Sequence, residues 1–146
     1  MPNRALDFDY DLWANQQWLD VVPKMAHAAR GMELLGHIAQ AQWIWLNRCK
    51  ESLGDATPSP ANPIEINDDV FESLTDAWKH LLSQHEGSRL IEYQNLSGKS
   101  FQNSLDEIAA HVLNHGTYHR GQLRGLAEAE NFEDFRDTDF IAYARA

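Results

Sequence analysis

Three histidines lie four residues apart in the stretch HVLNHGTYHRGQL, at positions 111, 115 and 119. On a helix this spacing stacks successive imidazoles, and two histidines at i and i+4 commonly bind a transition metal together. One ion cannot bind all three, because His111 and His119 would lie about 12 Å apart along the axis at the α-helical rise. The spacing therefore raises the hypothesis of a metal site built on two of these histidines.

The apolar face of this segment indicates which two of the three histidines point toward the core. His119 falls near the centre of that face on a helical wheel, His115 lies to one side, and His111 lies about a quarter turn away, at the edge. The apolar residues that define the face are Leu105, Ile108, Val112, Leu123 and Leu126. Because burying two imidazoles without partners costs free energy, His115 and His119 are the candidate ligands. The alternative is that they only pack in the core.

Two known metal motifs are absent from this segment. The residues between His115 and His119 are Gly, Thr and Tyr, so the glutamate of the zinc peptidase motif H-E-x-x-H is missing. The paired Glu-x-x-His motifs of carboxylate-bridged di-iron bundles are also missing. A catalytic metal ion usually has three protein ligands and one open position, so a third ligand has to come from another helix.

Periodicity does not identify the third ligand. His37 lies at the edge of an apolar stripe formed by residues 34, 38, 41, 45 and 49 of the second predicted helix. His85 continues an apolar stripe of the third predicted helix, whereas His27 and His80 have the pattern of exposed polar residues. Helical periodicity alone therefore does not decide which of these histidines is the third metal ligand.

The elements that must position these residues are helical at a period of 3.6 almost throughout. Asp7 or Asp9 is expected to cap a first helix, which Pro23 ends or kinks. Gly31 is expected to precede a second helix over about 32–49. A third helix is expected to start at residues 67–69.

Two irregular segments separate the later helices. Residues 51–66 contain three prolines and a glycine, which predicts a long crossover between the second and third helices. Residues 90–103 contain a Ser97-Gly98 turn signal and predict a small hairpin. Ser104 and Glu107 form a capping-box pattern that starts the fourth helix, which runs to about residue 128. The aromatic-bearing tail is expected to pack along a four-helix bundle, so the fold class is all-α.

Composition limits the class of protein. The 146 residues favour one domain, 1–146, and the net charge of -10 argues against nucleic acid and anionic membranes as partners. The single cysteine, Cys49, excludes an intrachain disulfide and lies on an apolar stripe, where it is expected to be a core residue. The first residues lack the apolar run of a signal peptide, so a cytoplasmic location is expected.

Four stretches resemble the DinB/YfiT-like family of bacterial metal-binding four-helix bundles. They are YDLWAN at 10–15, LGHI at 35–38 with Trp43 and Leu46 after it, NHGTYHRGQ at 114–122, and DFIAY at 139–143. The resemblance implies an up-down-down-up helix order, which suits the long crossover. It also implies a divalent metal held by His37, His115 and His119. It further implies a homodimer, and it does not imply DNA binding.

The function that the resemblance implies is metal-dependent thiol chemistry. Nickel or zinc suits three imidazoles, with iron possible. Characterised relatives include enzymes that use a low-molecular-weight thiol, so a thiol S-transferase or related detoxification enzyme that acts on an electrophile is the first hypothesis. A metal-dependent hydrolase and a non-enzymatic metal-binding stress-response protein are the alternatives. No residue is assigned as a catalytic acid or base.

Three further residues near the signature receive supporting roles. Gln122 is a candidate hydrogen-bond partner behind the ligands, on the side of His115. Gly116 lies on the core face, where it allows close helix packing, and Arg120 is expected to form a salt bridge or a dimer contact. Tyr118 receives no role in the site. Tyr10 and Trp13 either line the cavity or pack in the core.

Overall fold

The computed structural model describes residues 4–146, which are mostly helical. The helices are α1 (Arg4–Val21), α2 (Ala28–Leu53), α3 (Asp68–Gln84), α4 (Leu105–Ala129) and the short α5 (Phe140–Ala144). A 3-10 turn (Val22–Lys24) follows α1, and a hairpin of β1 (Leu90–Gln94) and β2 (Ser100–Ser104) precedes α4. The all-α expectation fits broadly. Within residues 4–146, none of the helices has the length and apolar character needed to cross a membrane.

The start of α1 differs from the expectation and its end agrees with it. The helix is already formed at Arg4, so the prediction that Asp7 or Asp9 caps it is wrong. Asp7 instead lies in the first turn, where a carboxylate interacts favourably with the helix dipole. The helix ends at Val21, just before the 3-10 turn that contains Pro23, as predicted.

The second helix is longer than predicted at both ends. It begins at Ala28, so the prediction of a break at Gly31 is wrong. Gly31 lies inside the helix, where a Cβ would be only 2.6 Å from Cγ1 of Val22. The missing side chain therefore lets this turn of the helix pack closely against Val22. At the other end Gly54 adopts the left-handed conformation, with φ of 65°, that commonly terminates a helix.

The crossover is held to the helices by polar contacts. The Asp55 carboxylate lies 2.9 Å from Nε2 of His85, and Trp43 donates its indole N–H to the carbonyl of Pro60. The crossover ends at Asn67, whose side chain accepts a hydrogen bond from the backbone N–H of Val70 and caps α3, close to the predicted start.

The hairpin and the start of α4 agree with the prediction. Tyr93 of β1 pairs with Phe101 of β2, and Ile91 is fully buried beneath the hairpin. Ser104 and Glu107 form both hydrogen bonds of the capping box, so α4 begins at Leu105. The hairpin is therefore fixed at the entry to the helix that carries the histidine run.

The core consists of two apolar clusters separated by a buried polar layer. One cluster includes Trp18, Leu35, Ile38, Phe71 and Leu123, and the other includes Phe8, Leu46, Trp78, Ile91 and Leu105. Between them along the helices lie the buried polar residues Asp11, Asn15, Gln42, Thr75 and Arg120. The tail packs along the helices as expected, since the ring of Phe135 stacks on Trp18 with centroids 5.3 Å apart.

The buried face of α2 is rotated from the predicted stripe. Ala41 and Trp45 were expected in the core, but both are partly exposed. Gln42 and Leu46 are buried at the same level instead. The cause is the buried polar layer: the side chain of Gln42 turns inward to donate a hydrogen bond to Asp11. Trp45 is thereby left on the outer edge of the helix.

Candidate metal centre

The structure brings together the three histidines that the resemblance implied. His37 lies on α2, and His115 and His119 lie one turn apart on α4, which packs against α2. One ring nitrogen from each histidine lies within 4.8 Å of the other two. This cluster could bind a metal ion.

The distances between the ring nitrogens fit a small divalent ion. Nε2 of His115 lies 3.1 Å from Nε2 of His37 and 3.2 Å from Nε2 of His119. Two nitrogens bound tetrahedrally to zinc at its usual bond length would lie about 3.3 Å apart. The imidazoles therefore converge at nearly the spacing that such an ion requires.

Hydrogen bonding among the histidines does not satisfy all three rings. Each nitrogen of a neutral imidazole carries either one proton or one lone pair. Nε2 of His115 can therefore form only one of its two close contacts, with His37 or with His119, as a hydrogen bond. A cation that accepts one lone pair from each histidine would satisfy the nitrogens that face one another.

Gln122 fixes the orientation of one imidazole. Its Oε1 lies 2.6 Å from Nδ1 of His119. Because an amide oxygen only accepts, Nδ1 of His119 donates the hydrogen bond and its Nε2 is left with a lone pair facing the other histidines. The sequence placed Gln122 on the side of His115, and the structure shows that its partner is His119.

The surroundings of His115 and His37 favour the neutral form of these two imidazoles. Burial, together with the neighbouring His119, His37 and His111, lowers the pKa of His115 to about 4. Burial, with His119 and Arg30 as further causes, also lowers the pKa of His37. A neutral imidazole is the form that binds metal, so both rings are ready to bind at neutral pH.

The other histidines do not join this cluster. His27 lies 2.8 Å from the Glu130 carboxylate, and His85 pairs with the crossover as described above. His80 is exposed. His111 lies at the rim, with its ring 5.3 Å from that of Trp45, in agreement with its predicted position at the edge.

A buried ionic network lies beside the histidines. Arg120 donates from one nitrogen to Asp11 at 2.7 Å and to Asn15 at 2.8 Å, and Gln42 donates to Asp11 at 2.6 Å. A Cβ at Gly116 would lie 2.7 Å from the Asp11 carboxylate, so this glycine allows the close approach that was expected. The salt-bridge expectation for Arg120 is met within the chain. The sequence carries one signal for the partners of Arg120: Asp11 and Asn15 are polar residues within the apolar pattern of α1.

Two other predicted features have clear positions. Cys49 is fully buried as expected, and burial raises the pKa of its thiol to about 12, so it is no nucleophile at neutral pH. Tyr10 and Trp13 are partly buried and pack their rings against Tyr143 of the tail, at 5.7 and 5.4 Å between centroids. Tyr118, which received no role, is exposed and places its ring edge against His119.

The histidine cluster is accessible from a surface groove. The groove has a volume of about 510 Å³, and His37 and His115 line it together with residues of α2 and of the hairpin turn. A bound ion would therefore have protein ligands on one side and open space on the other. This is the arrangement of catalytic metal sites, whereas structural sites are closed.

A helical protein with three convergent imidazoles beside an open groove is a candidate metal-binding protein. A sequence profile of the DinB family matches residues 1–128, and the chain belongs to this family. It is similar to "Protein DinB" of Bacillus subtilis (strain 168), with 25% identity over 156 aligned positions that cover 93% of this chain and 90% of the relative. No solved structure matches the chain.

Proposed function

We propose that this protein is a divalent-metal-dependent enzyme that transfers a small thiol to an electrophilic substrate, with His37, His115 and His119 as the metal ligands. The observation that carries the proposal is the convergence of three ring nitrogens beside an open groove. The low pKa of His115 supports it, because a ligand that is neutral at neutral pH does not have to lose a proton to bind.

Nickel or zinc is the proposed metal, with iron as the third choice, since imidazole ligands suit all three. When bound, a divalent metal supplies Lewis acidity that lowers the pKa of a thiol. The chain contributes the three imidazoles, the hydrogen bond from His119 to Gln122 that fixes one ring, and the groove that admits the substrates.

The proposed reaction needs no protein nucleophile. The thiol loses its proton to solvent, its sulfur forms a bond to the electrophilic carbon, and the leaving group departs with the electron pair of the broken bond. The buried Cys49 cannot replace the external thiol, because its pKa is raised to about 12 and it has no exposed surface. Activity should therefore require an added thiol.

The proposal includes four features of the whole chain. Residues 1–146 form a single domain, and the four long helices follow the up-down-down-up order of a four-helix bundle. The protein forms a homodimer and works in the cytoplasm, where small thiols are kept reduced. The long irregular crossover between α2 and α3 supports the helix order, because it lets two consecutive helices run in the same direction.

Elemental analysis of the purified, untagged protein tests the metal site. We expect about one equivalent of nickel or zinc in the wild type, by the single-ion ligand set, and loss of most of it in His37→Ala and His119→Ala. His111→Ala is the matched control, because it belongs to the same histidine run but faces Trp45 at the rim. Full metal content in His119→Ala, or no metal in the wild type after soaking, would refute the ligand assignment.

Thiol dependence tests the reaction. Metal-loaded protein should consume an electrophile such as a haloalkane or an epoxide only when one added thiol is present. The choice among bacillithiol, mycothiol and glutathione follows from the same assay. Turnover with water alone would instead support a metal-dependent hydrolase. Tight metal binding without turnover would support a non-enzymatic metal-binding protein.

A further inference from the structure

The groove beside the histidine cluster has one face of α2 as its floor. The α2 residues that line it are spaced by three or four positions, which places them on a single stripe of the helix. They are His37, Gln40, Ala41, Ile44, Trp45 and Arg48. The stripe begins at a candidate metal ligand, continues over apolar side chains and ends at a guanidinium group. Its two ends are therefore chemically different, and its middle is apolar.

The turn of the hairpin also lines the groove, and it displays an apolar side chain to solvent. Leu96 is 94% exposed and lines the groove between Asn95 and Ser97. The turn is well ordered by its own bonds, because Oδ1 of Asn95 accepts hydrogen bonds from the backbone N–H groups of Ser97 and Lys99. This leucine buries almost no surface within the chain, and it can contact an apolar ligand in the groove.

Arg48 lies at the far end of the groove, where it also lines a second cavity together with Glu51 and Glu92. Its guanidinium carbon lies 4.5 Å from the ring centroid of Trp45 and 5.5 Å from that of Tyr93. None of the ion pairs within residues 4–146 includes Arg48. Stacking on the aromatic rings holds the group in place and leaves its N–H donors available for an anion.

The negative net charge of the chain makes the Arg48 guanidinium important for any binding of an anion. The chain carries a net charge of -10, so its general field does not attract an anionic ligand. Recognition of an anion therefore needs a local donor, and a planar guanidinium suits a carboxylate because it can donate two parallel hydrogen bonds. Along the axis, Arg48 lies about 16 Å from His37 at the α-helical rise, and its side chain shortens that span.

We propose that this groove binds a small organic acid lengthwise, with its carboxylate on Arg48, its apolar chain between Ile44, Trp45 and Leu96, and its other end at the three histidines. This inference rests on the proposed function, because it gives the substrate class of the same site. Arg48 is then a specificity-determining residue for the thiol or the electrophile, whichever of the two carries the carboxylate.

NMR titration of the metal-free protein tests the groove independently of the metal. The probes are straight-chain carboxylic acids and the alcohols of equal length, followed through the indole N–H signal of Trp45, which the variant Trp45→Phe assigns. We expect the wild type to bind the acid about tenfold more tightly than the matched alcohol, the lower range for a charge-assisted hydrogen bond. In Arg48→Gln this preference should disappear while the affinity for the alcohol is unchanged.

Two further variants separate the charge from the apolar contact. Lys99→Gln removes a cation of the same hairpin that does not line the groove, and it should keep the preference for the acid. Leu96→Ser should weaken acid and alcohol equally. Equal binding of acid and alcohol by the wild type, or a preserved preference in Arg48→Gln, would overturn the proposal.

The metal-loaded protein identifies which substrate carries the acid. Cobalt-substituted protein is titrated with mercaptocarboxylic acids and with mercaptoalcohols of equal length, and the thiolate-to-cobalt absorption is followed. A preference for the mercaptocarboxylic acid assigns the carboxylate to the thiol, and equal affinities assign it to the electrophile. If the protein binds no cobalt, the metal-dependent function fails, while the result with the metal-free protein still decides whether the groove binds organic acids.

Discussion

Two polar clusters meet on α4, where His119 and Arg120 are consecutive in sequence. Arg120 is 3% exposed and Asp11 is 1% exposed, and every close contact of their ionic network is between a donor and an acceptor. The histidine cluster is partly exposed, and its three nitrogens face one another at distances where only some can form hydrogen bonds. The first cluster pairs its charges within the protein and, among the described residues, leaves only Oε1 of Gln42 without a hydrogen bond, whereas the second could bind a metal ion.

The difference assigns separate roles to neighbouring residues. Side chains of α1, α2 and α4 meet at Asp11, so the network fixes these three helices at one level of the core. Since α2 and α4 carry the three histidines, the network also fixes the distance between His37 and the pair on α4. Removing a network residue should therefore reduce stability without metal, whereas removing a histidine should reduce stability only when metal is present.

The largest expected effect comes from Asp11→Ala. The substitution leaves the Arg120 guanidinium buried without its carboxylate, and breaking a buried pair in this way costs about 3–5 kcal/mol. The free energy of unfolding from urea denaturation of the metal-free protein measures the loss. The double variant Asp11→Ala/Arg120→Met should recover much of it, because no unpaired charge is left. A loss below about 1 kcal/mol in the single variant would show that Arg120 reaches water or another partner.

The second effect depends on metal. Zinc at one hundred times its dissociation constant should stabilise the wild type by about 2.7 kcal/mol, by mass action. His37→Ala should unfold like the wild type without metal and show little of this increase. Thermal or urea unfolding with zinc and with a chelator measures both states. If His37→Ala retains the stabilisation by zinc, the histidines of α4 bind the ion without α2. The assignment of His37 to the metal site would then be wrong.

Much of this arrangement is predictable from the sequence, and the part that is not has a physical reason. The capping box at Ser104 and the spacing of His115 and His119 depend on local geometry, so they could be predicted. His37 could not be chosen by periodicity, because it is exposed and the hydrophobic pattern carries no information about exposed residues. The family resemblance supplied it.

The rotated face of α2 shows the limit of hydrophobic patterns. Trp45 looks like a core residue and Gln42 like a surface residue, but the structure reverses them because Gln42 reaches Asp11 of α1. That contact joins residues distant in sequence, so the hydrophobic pattern of one helix cannot predict it. The rotation also places Trp45 in the groove. The incorrect prediction that Trp45 is a core residue therefore left it out of the candidate site.

A smaller effect is expected from Gly116→Ala, whose new methyl group would overlap with the ionic network. The new Cβ would lie 2.7 Å from the Asp11 carboxylate and 2.9 Å from Nη1 of Arg120. We expect a destabilisation of about 1–3 kcal/mol from overpacking. Gly125→Ala is the matched control on the same helix, since nothing lies within 4 Å of its Cβ position. The control should stabilise the protein by up to about 1 kcal/mol, because alanine favours helix.

Urea denaturation distinguishes the two alanine variants. If Gly116→Ala is as stable as Gly125→Ala, the network tolerates displacement, and its role in setting the distance between α2 and α4 fails. Zinc affinity gives a second readout, because a shift of α4 changes the spacing between His37 and His115. A destabilised Gly116→Ala that also binds zinc more weakly would link the two clusters directly.

The smallest expected effect concerns the Asp55–His85 pair, which tests whether ionic pairing outside the core behaves like the Asp11 network. Hydrogen bonds from Thr57 and His85 hold the pKa of Asp55 well below its usual range. A depressed carboxylate pKa contributes stability above the usual value of about 3.9, and the contribution is lost as pH falls through the folded-state pKa. Asp55→Asn should therefore be about 1 kcal/mol less stable than wild type near neutral pH, and the difference should shrink below about pH 4.

Urea denaturation of both proteins from neutral to acidic pH checks this sign. The Asp55 side chain is 8% exposed and that of His85 is 17% exposed, so this pair at the crossover is less buried than Asp11 and Arg120. A loss as large as that of Asp11→Ala would mean that partial burial is enough for the full effect. A small loss that disappears in acid would mean that the deeper burial of Asp11, where three helices meet, gives the core network its larger effect.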